Sequence, residues 1–343
     1  MVSIADHPFF FTMPVTPQQF DAFKSYIDAA RRIVLTTHIN PDGDGLGSEL
    51  ALALYLLEMR KDAVILNHSA TPEFYRFLDR RNLICQFNEQ SHAGIIRDAD
   101  VVIIVDTNHP DRIAGLKEHV LASRAKKIVI DHHLDPDPFG DLLLIDDSSA
   151  ATGEIIFRLL EHLGAQLSPA ASTALYVAIM TDTGSFRYPK TDGDLHRAIA
   201  TLLDCGADPV QTYEQIYEQA PVNRIILLGK VLSTLETHQG GRVSVMTITK
   251  ALFRETETSE PDVERFVPFA MGIKGVQIAL MFTELEDHIK ISFRSRGDIW
   301  INKLAQEFGG NGHKNAAGAR VSNMTLKDLK KSVVDRANSY VSS

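Results

Sequence analysis

Carboxylates and imidazoles stand in this chain directly after apolar runs, in combinations that could hold divalent cations. His38, Asp42 and Asp44 follow Ile33 to Leu35. Asp106 follows Val101 to Val105, and Asp131-His132-His133 follows Ile128 to Ile130. Asp182 comes after the apolar stretch Ala174 to Met180. Nitrogen and oxygen donors without thiolates suit Mn2+, Mg2+ or Fe2+ better than a structural zinc. Six side chains, His38, Asp42, Asp44, Asp106, His132 and Asp182, would serve two ions if one carboxylate bridges them. Two ions about 3.5–4 Å apart stabilise both the attacking and the leaving oxygen in phosphoryl transfer, and a water between them becomes a ready nucleophile. Without cations these carboxylates repel one another, so binding metal should also stabilise the fold.

Each cluster alone has a plainer reading. The loop around Pro41 and Gly43 could simply cap a helix, Asp106 could cap a turn, and Asp182 in Thr181-Asp182-Thr183-Gly184 could be an N-cap. Asp131-His132-His133 is different, because three ionisable groups after a buried run require partners or a metal. The four together carry the metal reading. His109 and Asp111 share the loop of Asp106 and read as solvated.

The elements that must position these groups follow from the apolar pattern. Ile33 to Thr37, Ala63 to Leu66, Val101 to Val105, Ile128 to Ile130 and Leu142 to Ile145 read as short buried strands. Pro17 to Ala30, capped by Thr16, reads as a helix, as do Ser48 to Met59, Thr152 to Leu163 and Pro169 to Met180. Strands alternating with helices predict an α/β region with a doubly wound, mostly parallel sheet. Ligands bind such sheets outside the carboxyl ends of the strands, where three of the four clusters fall. Asp182, closing a helix, must be brought there by the fold. A helix starting near Ser48 would aim its N-terminus at the same place.

Beyond Asp194 to Leu203 and Gly206, a helical stretch from Pro209 to about Thr237 is a candidate connector. Gln239-Gly240-Gly241 is a turn signal. Arg242 to Thr249, Val276 to Thr283 and His288 to Phe293 then read as strands, and Leu326 to Tyr340, capped by Thr325, as a closing helix. The expected division is a catalytic domain over 1–205, a helical linker over 206–237 and a smaller α+β domain over 238–343, with the active site in the cleft between the domains.

Composition narrows the classes. The 343 residues are 44% hydrophobic and 23% charged, which suits a globular chain of two domains. The net charge of −9 argues against a general nucleic-acid coat and leaves room for a local basic pocket. Cys85 and Cys205, far apart, make a disulfide framework or thiolate site unexpected. No run of 18 apolar residues is present, and Phe9-Phe10-Phe11 is too short for a signal sequence, so the expected location is cytoplasmic with no membrane partner.

These motifs resemble the DHH phosphoesterases, named for the Asp-His-His triplet. His38-x-Asn40-Pro41-Asp42-x-Asp44, Asp106, Asp131-His132-His133 and Asp182 look like that family's four motifs in order. Gly309-Gly310-Asn311-Gly312-His313 with Ala316-Ala317-Gly318 looks like the Gly-rich signature of the associated DHHA1 domain. With Ile291-Ser292-Phe293-Arg294-Ser295, it points to the nanoRNase subgroup. The resemblance implies that His38, Asp42 and Asp106 hold one Mn2+ and that Asp44, Asp106, His132 and Asp182 hold the other. It implies that Asp131 fixes an imidazole, and that His133 touches the scissile phosphate. Asn311 is a small departure from an all-Gly run.

Arg294 can grip phosphate with two bonds, and the Gly-rich loop lets backbone N–H groups approach an anion. Arg294, Ser295, Gly310, Gly312 and His313 are therefore the candidate substrate-binding residues. Arg112 and Arg187 stay open between phosphate contact and plain surface. The resemblance implies a metal-dependent phosphodiesterase releasing 5′-mononucleotides from very short RNA or linear dinucleotides such as pApA. Dephosphorylation of 3′-phosphoadenosine 5′-phosphate would be a second activity of the same site. The alternatives are a cyclic di-AMP phosphodiesterase and a nucleotide sensor with a structural metal site. A family-II pyrophosphatase should lack the Gly309 to Gly318 signature, and a long-strand exonuclease needs further domains. Long duplex nucleic acid is not an expected partner, and a homodimer stays open.

Overall fold

Val101–Val105 is buried at every residue, as a strand covered by helices on both faces must be. It is the fourth strand (β4) of a parallel sheet in the computed structural model, which describes residues 14–341 apart from 135 and 138. Phe9-Phe10-Phe11 and the side chain of His313 lie outside the described part. The chain divides into two units between Gln219 and Ala220.

The first unit carries β1 (Arg32–Thr36), β2 (Asp62–Asn67), β3 (Ile84–Gln86), β4, β5 (Lys126–Asp131) and β6 (Leu142–Ile145). Their order is β3-β2-β1-β4-β5-β6, with every pairing parallel. The chain runs outward from β1 in one direction, returns, and runs outward from β4 in the other. The switch point between β1 and β4 is where such a sheet opens a crevice for ligands. Helices α1 (Pro17–Ala29), α2 (Gly43–Glu58), α3 (Glu89–Arg97), α4 (Lys117–Ala122), α5 (Thr152–His162), α6 (Pro169–Asp182), α7 (Gly193–Asp204) and α8 (Pro209–Tyr217) complete the unit.

Helix α2 begins at Gly43, earlier than the pattern Ser48 to Met59 predicts. Its glycines are packing sites within the helix, where the sequence suggested a loop. A Cβ on Gly47 would lie 2.2 Å from the Ala174 carbonyl oxygen of α6, and one on Gly43 2.4 Å from Thr181 Oγ1. One on Gly45 would lie 2.4 Å from Thr37 Oγ1, just beyond β1. The close approach seats α2 against both neighbours. Leu46, Leu50, Leu52 and Leu56 on α2 and Leu175, Val177 and Ile179 on α6 are consequently all buried. Helices buried all round lack the one-sided apolar stripe of a surface helix.

The second unit holds α9 (Val222–Leu232), β7 (Glu236–His238), β8 (Val243–Ile248), α10 (Lys250–Thr256), α11 (Val267–Met271), β9 (Ile278–Glu284) and β10 (Ile289–Ser295). It continues through α12 (Ile301–Gln306), β11 (Asn311–His313) and β12 (Ala316–Val321) to α13 (Leu326–Tyr340). The sheet order is β11-β12-β10-β9-β8-β7, with β8 and β9 parallel and the other pairs antiparallel. The stretch from Pro209 to Thr237 is two helices and a strand, broken by Pro221 at the N-cap of α9. Ile216 of α8 packs into the first unit's core, and Leu227 and Val231 of α9 pack under the second sheet. The Gly-rich run, expected as a loop, forms the β11–β12 hairpin. Strands this short, with Gly and Asn inside, give little periodic signal.

Gly47→Ala is expected to destabilise the protein by about 1–3 kcal/mol, as overpacking does. Gly229→Ala, in open space on α9, should be neutral or stabilising. Thermal denaturation of both variants checks this; equal melting temperatures would mean that α2 and α6 are not in close contact.

Candidate metal centre

The carboxyl ends of β1, β4 and β5 deliver His38, Asp106 and Asp131-His132-His133 to one place. Asp106 has a left-handed φ of 59°, a conformation that side chains other than Gly rarely adopt, and its N–H donates to the Ile130 carbonyl at 2.9 Å. Asp42 is the N-cap of α2, where its Oδ1 accepts from the N–H groups of Asp44 and Gly45 at 3.1 and 3.2 Å. Asp44 follows in the first turn. The first residues of α5 face it: the N–H groups of Thr152 and Gly153 donate to its two oxygens at 2.7 and 2.8 Å. Thr152 Oγ1 donates to Asp106 Oδ1 at 3.1 Å. Asp182 is the last residue of α6, and the α2–α6 packing brings it beside the others.

Two groups result, each with ligand atoms lying within 4.8 Å of one another. His38, Asp42 and Asp106 form one; Asp44, His132 and Asp182 form the other. Asp106 addresses both: its Oδ2 is 3.3 Å from His38 Nε2, and its Oδ1 is 3.7 Å from His132 Nε2. His132 Nε2 also lies 3.3 Å from Asp182 Oδ2 and 3.7 Å from Asp44 Oδ2, without a hydrogen-bond partner. A further combination, Asp106, His132 and His133, meets the same distance limit.

The imidazoles are held from behind. His132 Nδ1 faces the Ser149 carbonyl at 3.3 Å, and His38 Nδ1 faces the Ile39 carbonyl at 2.8 Å. A carbonyl can only accept, so Nδ1 carries the hydrogen and Nε2 faces the carboxylates, as in metal-binding histidines. Burial lowers the pKa of His132, favouring the neutral ring that a cation needs. Asp131 is fully buried and holds His133, with 2.8 Å from Oδ1 to Nδ1.

Burial opposes the charge on His38, but Asp106 and Asp42 outweigh it and lift the ring to about 10. For Asp42, loss of water is outweighed by His38 and the Gly45 and Asp44 N–H groups, leaving its carboxyl at about 2. Burial raises Asp44 well above the usual carboxylate range, reinforced by Asp106 and Asp182. Burial with Asp106 and Asp42 lifts Asp182 to about 7. Protons thus hold together a donor set whose carboxylates cannot all ionise unaided. An imidazole nitrogen aimed without a partner at three carboxylates, with no thiolate nearby, fits divalent cations.

Several participants carry no sequence motif of their own. Thr152 and Gly153 act through helix N–H groups, and the small-residue run Ser148 to Gly153 after β6 was their one available signal. Glu49, buried on α2, accepts from Asn67 Nδ2 at 2.6 Å, and Asn67 Oδ1 accepts from Thr37 N–H at 3.2 Å, behind His38. Asn108 Nδ2 donates to the His133 carbonyl at 2.9 Å. The Lys190 ammonium donates to the Ser149 carbonyl at 3.1 Å. His109 and Asp111 are exposed, and Asp111 pairs with Lys117 at 2.6 Å. Arg112 accepts the Ile39 N–H on its carbonyl, and the Arg187 guanidinium lies 5.5 Å from the Tyr188 ring.

In the second unit, Arg294 on β10 pairs in register with Ala316 of β12. Ser295 is nearly buried, and its hydroxyl donates to the Ile299 carbonyl at 2.7 Å while accepting from Asn315. A Cβ on Gly310 would lie 2.2 Å from the Gly318 carbonyl, and one on Gly312 2.4 Å from the Ala316 carbonyl. Both glycines therefore serve close backbone approach at the hairpin.

A parallel doubly wound unit with a two-group acidic centre that could hold divalent cations, followed by a mixed-sheet unit, defines a two-unit α/β protein with a candidate metal centre. Residues 32–181 match the DHH family, N-terminal domain, and residues 229–343 match the DHHA1 domain. The chain belongs to this family and is a DHH-family phosphoesterase. It is 30% identical over 303 residues to the bifunctional oligoribonuclease and PAP phosphatase NrnA of Thermus thermophilus, covering 88% of each chain. It is 30% identical over 297 residues to the Bacillus subtilis protein of the same name, covering 84% of this chain and 89% of that one. An exopolyphosphatase-related protein from Bacteroides fragilis superposes with a TM-score of 0.91 at 30% identity, over 96% of this chain and 97% of that one.

The raised Asp44 and Asp182 penalise the metal-free fold as pH rises from the unfolded carboxylate range toward about 7, where Asp182 ionises. The raised His38 contributes stability present below its unfolded value and lost as pH climbs toward about 10. EDTA-treated protein should therefore melt lower at pH 8 than at pH 6. Adding Mn2+ should raise the melting temperature more at pH 8 and release protons at pH 6. Calorimetric titration in two buffers of different ionisation enthalpy measures the release; none at pH 6 would refute the protonated centre.

Proposed function

We propose that this phosphoesterase hydrolyses very short RNA oligonucleotides and linear dinucleotides such as pApA to 5′-mononucleotides. Removal of phosphate from 3′-phosphoadenosine 5′-phosphate is the second activity of the same site, in a cytoplasmic enzyme. The observation that carries this reading is Asp106, with one oxygen toward each of two ligand groups. The names of the Thermus and Bacillus relatives, similar along most of the chain, support the substrate class.

His38, Asp42 and Asp106 would hold one divalent ion, and Asp44, Asp106, His132 and Asp182 the other, with Mn2+ ahead of Mg2+ or Fe2+. Bound there, the pair supplies an acidified water and offsets charge on the phosphoryl oxygens. His133 is the group left to meet the phosphate. Burial opposes its charge, but Asp131 more than compensates and raises its pKa, which favours a charged donor for a phosphate oxygen. Asp131 positions that ring. Ser149, through its carbonyl, sets the His132 tautomer. Arg294, Ser295, Gly310, Gly312 and His313 of the second unit hold the nucleotide away from the scissile bond, with Ser295 acting through the turn that it braces. The net charge of −9 disfavours long duplex nucleic acid.

A turnover panel with Mn2+ tests the substrate: pApA, cyclic di-AMP, 3′-phosphoadenosine 5′-phosphate and RNA of increasing length. Dinucleotides and short RNA should have the highest kcat/KM. Cleavage of cyclic di-AMP alone would replace the reading with a cyclic-dinucleotide phosphodiesterase, and no turnover at all with a sensor.

Three variants test the roles. Asp106→Ala should abolish turnover and lower the number of bound ions. His132→Ala should lose one ion. His133→Ala should keep its metal and lose about 10- to 100-fold in rate, the worth of a charge-assisted hydrogen bond. Equal metal loss from both histidine variants, by elemental analysis, would overturn the assignment of the two imidazoles.

A further inference from the structure

The chain has a single tryptophan, Trp300, and it stands half-exposed at the N-cap of α12. A large aromatic ring left in water forgoes the burial that usually rewards it, which raises the question of what covers it. Its surroundings are charged. Lys303 and Lys314 place their ammonium groups 5.2 and 5.7 Å from the ring centre. Lys314 also reaches Asp298 at 2.8 Å. An aromatic face with two flanking ammonium groups suits a base and its phosphate better than an apolar protein surface.

The ring is also held at a defined place. The Ile301 N–H donates to the Lys314 carbonyl at 2.7 Å, tying the start of α12 to the residue after β11. Asn315 Nδ2 bonds Ser295 Oγ, the Gly297 carbonyl and the Ile299 carbonyl at 2.9, 3.2 and 3.4 Å, bracing the turn that leads to Trp300. The Ser295 N–H donates to the Asn315 carbonyl at 3.0 Å. Trp300 therefore shares one end of the second sheet with Arg294 and the Gly-rich hairpin.

We propose that Trp300 is a stacking platform for one nucleobase of the short nucleotide, with Lys303 and Lys314 drawn to its phosphate. Stacking is tolerant of base identity, because every base has a π face. The platform would thus favour nucleotides over base-free phosphodiesters without selecting one sequence. The inference rests on the short-nucleotide reading of the enzyme and adds a residue to it that belongs to no motif.

Because Trp300 is the only tryptophan, its fluorescence reports on this site alone. Metal-free protein would be titrated with AMP and with pApA, which should give saturable quenching. KM and kcat with Mn2+ would then be compared for pApA and for its abasic counterpart in wild type, Trp300→Leu and Trp300→Phe. Trp300→Leu should raise the KM for pApA roughly 5- to 100-fold, the worth of one stacked base. Its kcat and metal content should hold, Phe should restore most of the KM, and the abasic substrate should change much less.

Equal losses for the two substrates, or a wild-type KM in Trp300→Leu, would overturn the platform. So would unchanged fluorescence at nucleotide concentrations that saturate turnover. If no short nucleotide is hydrolysed but AMP still quenches the ring, the enzymatic reading fails and the platform stands. If turnover succeeds without quenching, the platform alone fails.

Discussion

Mutual repulsion among Asp42, Asp44, Asp106 and Asp182 is the constraint that the first unit is built to withstand. Carboxylates this close cannot all be charged without compensation. The fold answers in several ways. The N-terminus of α5 aims two N–H groups at Asp44, and that of α2 aims two at Asp42. Three imidazoles stand between the acids. What remains uncompensated appears as carboxyl pKa values raised at Asp44 and Asp182, and the acids in turn raise that of His38. Divalent cations there would relieve the same repulsion, which ties the centre's chemistry to the fold's stability.

Bringing the acids together costs packing freedom elsewhere. Asp44 starts α2 and Asp182 ends α6, so the two helices must run in contact for the residues to meet. Gly43 and Gly47 allow it, because a methyl group at either would strike α6. Gly45 does the same against Thr37 at the end of β1. Asp106 adds a second strained feature, a left-handed backbone that lets one carboxylate present an oxygen to each ligand group. Backbone strain persists where surrounding structure over-determines it, and here the Ile130 carbonyl and Thr152 hydroxyl do so.

In the function proposed above, the second unit would handle a different problem, holding a flexible ligand by its outer groups. Its sheet end combines Arg294, a hairpin whose glycines permit close backbone approach, and an exposed indole flanked by ammonium groups. The proposed division of labour would follow charge, with the acidic groups in the first unit and the basic and aromatic groups in the second.

Much of this was legible in the sequence, for a definite reason. Buried parallel strands are continuous apolar runs, and a site at their carboxyl ends falls immediately after them. His38, Asp106 and Asp131-His132-His133 could be read off by position alone, and the alternation of strands and helices indicated the sheet. The start of α2 was misread because Gly and Asp have low intrinsic helix preference, while close packing against α6 overrides that preference. The β11–β12 hairpin was missed because its glycines serve backbone approach, which leaves no apolar period. Thr152, Gly153, Ser149 and Asn67 act through backbone groups or single polar contacts, so residue type alone does not mark them. Only tertiary structure decides that Asp106 faces both ligand groups and that Trp300 stands beside the Gly-rich hairpin. The first depends on distances between segments far apart in the chain and the second on how α12 and the hairpin fold back together, and no apolar period encodes either.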